Sequence, residues 1–185
     1  MRKRQVMINL RRNQRGSLMT EFAAAFVLFT CCLMIPLVNI SVIPVRYVIS
    51  FAMVSEVTRK LAIAETRSQA MTLASQAAFY QGFAKQFGIT MEPPILSLIC
   101  KDQNSAMMIF PGRKPIPAVF LPGGSRSNHC NYLLKTETSV QIPPLFCIGP
   151  RIPALTSPIS FNISATAPWE NLGCDPATRE FYINE

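Results

Sequence analysis

Residues 22–38 read FAAAFVLFTCCLMIPLV without a single charge, and the weakly polar NISVIPV carries the apolar character on to Val45. At about 1.5 Å of rise per helical residue, the roughly 20 residues needed to cross about 30 Å of hydrocarbon are all present. The run therefore reads as a membrane-spanning helix, and the rest of the chain is organised around it. A cleaved secretory signal also opens with a basic region and an apolar run, but it closes with a small-residue cleavage site. The small triplet here, Ala23 to Ala25, lies at the start of the run, where a cut would not release it.

Composition agrees with an anchored protein. The 185 residues leave room for one ordinary domain, or for a smaller domain plus an anchor, and not for a large multidomain enzyme. Hydrophobic residues make up 49% and charged residues 15%, against about 25% charged in soluble chains. The net charge of +8 suggests a nucleic-acid binder until it is mapped. Six of the eighteen basic residues (Arg2, Lys3, Arg4, Arg11, Arg12 and Arg15) precede Gly16, which leaves twelve against ten acidic ones beyond it. A basic folded face with interleaved aromatics is missing, so nucleic acid is not an expected partner.

The same charge map sets orientation. Positive residues flank the N-terminal end of the span, and Arg46 is the one charge in the ten residues after Val45. By the positive-inside tendency the N-terminus is cytoplasmic, the chain crosses a membrane once, and residues 46–185 are extracytoplasmic. Cys31 and Cys32 lie in the span and read as packing residues. Cys100, Cys130, Cys147 and Cys174 form an even set in a proline-rich region, which fits two disulfides in an oxidising space. Three connectivities are open. A zinc site is disfavoured because no two of the four have CxxC spacing.

Residues 11–22, RRNQRGSLMTEF, hold the most informative motif: basic residues, Gly16, four uncharged residues, then Glu21 and Phe22 opening the apolar run. A carboxylate at the edge of a spanning helix costs free energy and calls for a counter-charge. A cut between Gly16 and Ser17 would place a new α-ammonium on Ser17 one helical turn from Glu21. That ammonium could pair within its own chain at the i to i+4 spacing, or with a neighbouring subunit in a bundle.

This arrangement resembles the type IV prepilin processing signal, in which a membrane peptidase cuts after glycine and glutamate becomes the fifth residue of the product. The block RGSLMTEFAAAFVLF, followed by a span, a long amphipathic helix and a small β-rich end, is similar to the TadE-like pseudopilins of tight-adherence (Tad) pilus systems. The likeness is strongest from Arg15 to about Arg67, and the Ala167 to Glu170 segment APWE adds to it. The resemblance implies processing after Gly16, assembly through Glu21 and Phe22, and three kinds of partner: a prepilin peptidase, other pilin or pseudopilin subunits, and an inner-membrane assembly platform, besides the lipid bilayer. Asn39 and Pro44 interrupt the span more than the family leads one to expect.

Beyond the membrane, residues 46–87 lack proline and contain one glycine, Gly82, so one long helix is expected, ended by Gly88 and barred from resuming by Pro93 and Pro94. Its apolar stripe includes Tyr47, Phe51, Val54, Leu61, Ala70, Leu73, Tyr80 and Ala84, with Thr58 and Glu65 as flaws. Glu56, Arg59, Lys60, Arg67 and Gln76 form the opposite surface. Such a stripe packs either on its own C-terminal domain or on neighbouring subunits. Leu134 to Ile142 and Ile159 to Ala165 alternate apolar and polar residues as half-buried strands and should pair antiparallel. Ile95 to Cys100, Met107 to Phe110 and Ala118 to Leu121 are weaker candidates. The expectation is an α+β chain: a basic leader (1–16), a transmembrane helix (17–45), an amphipathic helix (46–88) and a small disulfide-stapled antiparallel β domain (89–185).

Catalysis finds no constellation in the sequence. His129 is the sole histidine, and its neighbour Cys130 would point to the opposite face of an extended segment. No glycine-rich phosphate loop, HExxH or GxSxG occurs, and no cofactor is expected. Two functions outside the enzyme class remain. One is a minor pilin or pseudopilin. The other is a permanently membrane-anchored extracytoplasmic binding domain that is never processed.

Overall fold

The structure, a computed structural model, describes residues 18–76, 78–102, 107–122, 124, 130–147 and 157–185. Gly16 and Ser17, the basic leader and His129 lie outside these residues. The chain divides into two compact units, Met1–Ile43 with Pro144–Ser157, and Pro44–Pro143 with Pro158–Glu185.

Helix α1 spans Leu18–Ala62 and is long and apolar enough to cross a membrane. Within it, Thr30–Met34 widens into a π-helical turn, where the Ile35 N–H reaches back to the Thr30 carbonyl. Pro36 follows directly and has no N–H to donate, so the wide turn absorbs the lost ladder bond. Pro44 sits inside the α-helical part, Ile35–Ala62.

The second unit is an α+β layer. Residues 54–62 of α1, helix α2 (Arg67–Ser75) and helix α3 (Ala78–Gln86) cover one face of an antiparallel sheet with five strands: β1 Thr90–Met91, β2 Ile95–Asp102, β3 Met107–Pro111, β4 Cys130–Ile142 and β5 Ile159–Pro168. The thirteen-residue β4 is its axis. β5 lines one side of it, with Ile142 opposite Ile159 and Leu133 opposite Pro168. Along the other side run β2 and then β1, in line with each other. They are separated by Pro93 and Pro94, which cannot donate to the ladder. Glu92 closes the gap by donating its N–H to the Ser139 carbonyl at 3.0 Å.

Both well-patterned strands form as the alternation requires. Leu134, Thr136, Thr138, Val140 and Ile142 are buried on one face of β4, and Ile163, Ala165 and Ala167 on the same face of β5. Each large apolar side chain buried here contributes about 1.5–3 kcal/mol. Ile95 to Cys100 and Met107 to Phe110 are strands too. Ala118 to Leu121 is not: flanking prolines fix the chain for a tight turn, and Ala118–Phe120 forms a 3-10 helix with Phe120 N–H donating to Pro117 O at 2.9 Å.

The single helix expected over 46–88 is three helices. α1 stops at Ala62, and Thr66 adopts an extended backbone to cap α2, its hydroxyl accepting from the Gln69 N–H. Gln69 reciprocates by accepting from the Glu65 N–H at 2.9 Å. Thr66-Arg-Ser-Gln69 is thus a near capping box, strong enough to start a helix where no proline or glycine stops one. The carbonyls left open by the break are taken by the C-terminal segment: Glu170 N–H donates to Ala62 O at 3.4 Å and Asn171 Nδ2 to Glu65 O at 2.8 Å. Gly88, at φ +65°, ends α3 in a Schellman turn, with Gly88 N–H on Lys85 O and Ile89 N–H on Ala84 O, both 3.0 Å.

Candidate functional site

The feature most suggestive of function is the first part of α1. Leu18, Met19, Phe22, Phe26, Leu28, Leu33 and Leu37 are all exposed, and Phe22 stacks on Phe26 with centroids 6.5 Å apart. A helix apolar on every side and uncovered by its own protein needs lipid or other helices around it. Glu21 lies on this helix and is exposed. Thr30, the polar residue amid this stretch, donates its hydroxyl to Phe26 O at 2.9 Å and so satisfies itself within the helix. Of the four residues in the processing motif, Glu21 and Phe22 therefore stand together on the bare helix, while Gly16 and Ser17 lie outside the described residues.

Asn39 explains one interruption of the span. It is almost fully buried: Oδ1 accepts the N–H groups of Leu145 (3.0 Å) and Phe146 (3.1 Å), and Nδ2 donates to Phe146 O at 2.8 Å. The polar residue thus holds a stretch of the proline-rich connection against the helix, satisfying peptide groups that an apolar surrounding would leave unpaired. In sequence it reads as a flaw, because its partner lies more than a hundred residues away.

Past the apolar run, the stripe on α1 packs on its own sheet from Val54 onward; Tyr47, partly exposed, already sets its ring edge to face against Phe161 of β5 at 5.5 Å, whereas Phe51 is exposed. Thr58 is buried without penalty, since its hydroxyl donates to Val54 O at 2.7 Å. Glu56 and Lys60 pair at 3.8 Å on the outer surface as i, i+4 neighbours.

Arg67 is a correction. The sequence assigns it to the polar surface, yet it is only 3% exposed. Its guanidinium donates to the carbonyls of Lys114 (2.8 Å), Phe110 (2.9 Å) and Gly112, gathering the chain that leaves β3. Burial lowers its pKa from the ordinary value. Its planar fork of donors is what lets one side chain serve three carbonyls.

No disulfide joins any of the six cysteines. Cys100 and Cys130 lie on neighbouring strands, Cys100 opposite Tyr132 and Cys130 opposite Asp102. This diagonal spans about 7–8 Å, wider than a disulfide usually takes. Tyr132 donates its hydroxyl to Phe120 O, and burial, then the two thiols beside it, push its phenol up to about 12. Cys147 and Cys174 are exposed. Among the described residues no group of three or more His, Cys, Asp or Glu side chains could hold a metal ion. On the outer face of the sheet, Glu92 and Glu137 line a hollow of about 380 Å³ with Ser139, Asn162 and Ser164, and Glu137 is ion-paired with Lys135.

Compared with known proteins, the chain matches no family model, no curated protein and no solved structure.

Proposed function

We propose that the chain is a minor pilin or pseudopilin of a tight-adherence type pilus assembly, anchored in the inner membrane with its N-terminus in the cytoplasm. On this reading a prepilin peptidase cuts after Gly16, and the trimmed helix leaves lipid for a bundle of pilin subunits on the assembly platform. The observation that carries it is the bare apolar helix opening on Glu21 and Phe22 and leading into a small α+β unit. Its chemistry is packing: the Ser17 ammonium and the Glu21 carboxylate set the register between subunits. The oxidising compartment outside the membrane pairs Cys100, Cys130, Cys147 and Cys174 as disulfides after backbone adjustment.

The test is N-terminal sequencing of protein made beside its cognate peptidase, together with Glu21→Ala. Processed protein begins at Ser17, and Glu21→Ala accumulates in the membrane without assembling. An intact Met1 on assembly-competent protein ends the processing claim.

One observation favours the second reading, a permanent anchor carrying a binding domain. The Asn39 clamp occupies one side of α1 with the connection at Leu145 and Phe146, a side then closed to neighbouring helices. That reading expects Glu21→Ala to insert and to bind its partner as the parent does.

A further inference from the structure

We infer that the second unit pairs with a second copy of itself along the free edge of β5, strand against strand across a two-fold axis at Ile163. The contact lies wholly within that unit and does not depend on whether α1 is processed or spans a membrane.

The edge is long and unguarded. Among the described residues β5, ten residues from Ile159 to Pro168, pairs with β4 alone. Trp169 donates its N–H to Tyr132 O, and because pairs alternate along an antiparallel ladder, this bond fixes which way each peptide of β5 faces. The odd-numbered residues bond β4, while Ser160, Asn162, Ser164 and Thr166 turn their N–H and C=O groups outward. No described strand or loop takes these groups up. Monomeric proteins blunt such an edge with charge, with an internal proline or with a bulge. From Pro158 to Pro168 there is no charged residue and no proline between the two ends, and the register with β4 runs unbroken.

The strand is its own complement. Turned about Ile163, Ser160 comes opposite Thr166 and Asn162 opposite Ser164, which makes four pairs of outward-facing residues, each exchanging two backbone bonds. On the helix-covered face Phe161 comes opposite Ala165 and Ile159 opposite Ala167, large against small, and on the other face small polar side chains meet. Pro158 and Pro168, with no N–H to give, fall opposite each other. Moving the axis by one residue sets one of these prolines against Ser160 or Thr166 and loses a bond. No like charges meet across the axis, and a self-complementary patch is what a two-fold contact between identical chains requires.

The helix layer points to the same axis. Tyr47 packs edge to face on Phe161 at 5.5 Å, and Glu170 donates its N–H to Ala62 O, so this stretch of α1 lies above β5 and runs with it. Ile163 is two residues beyond Phe161, about 6.6 Å along a strand, which is the rise of about four helical residues. Phe51 therefore stands level with the axis. α3 flanks α1 at Ile49, Met53 and Glu56 and leads into β1, on the far side of β4 from β5. Val48 and Phe51 lie on the other flank, above the free edge, 63% and 47% exposed. In the pair Phe51 faces its mate, and an apolar flank otherwise wetted is covered.

The test uses the full chain in detergent micelles, with the protein mass read by light scattering. Asn162→Lys combined with Ser164→Lys sets ammonium groups against each other across the axis, on an exposed face away from the core, and halves the mass relative to the parent. Asn162→Glu combined with Ser164→Lys restores it, since each carboxylate then meets the other copy's ammonium. Ser164→Pro, an independent variant, removes one outward N–H while leaving the ladder with β4 whole, and also halves the mass. A parent that stays monomeric at every protein concentration overturns the inference. So does an assembly that neither the lysine pair nor Ser164→Pro dissociates, which assigns association to the apolar run of α1. Dissociation by the lysine pair without restoration by the glutamate and lysine pair overturns the two-fold register.

Discussion

Arg67 is the costliest side chain to have buried, and its energetics follow from what surrounds it. A guanidinium taken out of water loses several kcal/mol of hydration, which three carbonyl dipoles and the cover of neighbouring chain offset. Removing it strands those carbonyls, each at about 1–3 kcal/mol where water does not return. Arg67→Met is therefore expected to lower the unfolding free energy by about 2–4 kcal/mol, read from the urea midpoint of the full chain in detergent. Arg67→Lys should recover less than half, because an ammonium cannot span the three acceptors as a planar fork does. A loss below about 0.5 kcal/mol for Arg67→Met, the range of ordinary surface substitutions, would mean water already serves these carbonyls. Nothing in the local sequence marks Arg67 as buried. Its helical position places it among charged residues, and the carbonyls it meets lie 43 to 47 positions away.

Among the elements, the break between α1 and α2 depends on Thr66. Thr66→Ala removes the cap on the Gln69 N–H and should cost about 1 kcal/mol, with Thr66→Ser close to the parent in the same urea titration. An unchanged midpoint in Thr66→Ala would assign the break to the Asn171 and Glu170 contacts instead. The cap was present in the sequence as Thr66 and Gln69 three residues apart, and Glu65 already disturbed the stripe. The lack of proline and the single Gly82 permit one unbroken helix, and that permission is overridden by the Thr66 cap. The strands were legible for the opposite reason: β4 and β5 have one buried and one wet face, and a period of two admits no other assignment. Ala118 to Leu121 is ambiguous in sequence because four residues between prolines suit a tight turn as well as an edge strand. At the candidate site Glu21 and Phe22 were legible as a motif. Asn39 was not, since it takes its role from partners distant in sequence.

For the molecule as a whole, β4 is the strand on which everything else depends. It is paired on both sides along most of its length, and β3 and β5 each have one paired side among the described residues. Backbone amides of β4 should accordingly be the last in the sheet to exchange with deuterium, as opening them requires the unit to come apart. Faster exchange in β4 than in β3, measured by mass spectrometry of the full chain, would place the stability elsewhere. The order of these parts along the polypeptide has a temporal consequence. Val54, Val57 and Leu61, which belong to the core, are made 73 to 80 residues before Leu134 of the strand that shelters them. At about 5–20 residues per second of synthesis, the nascent helix waits several seconds with that surface wet. During this window a chaperone or a protease meets the chain before its own sheet does.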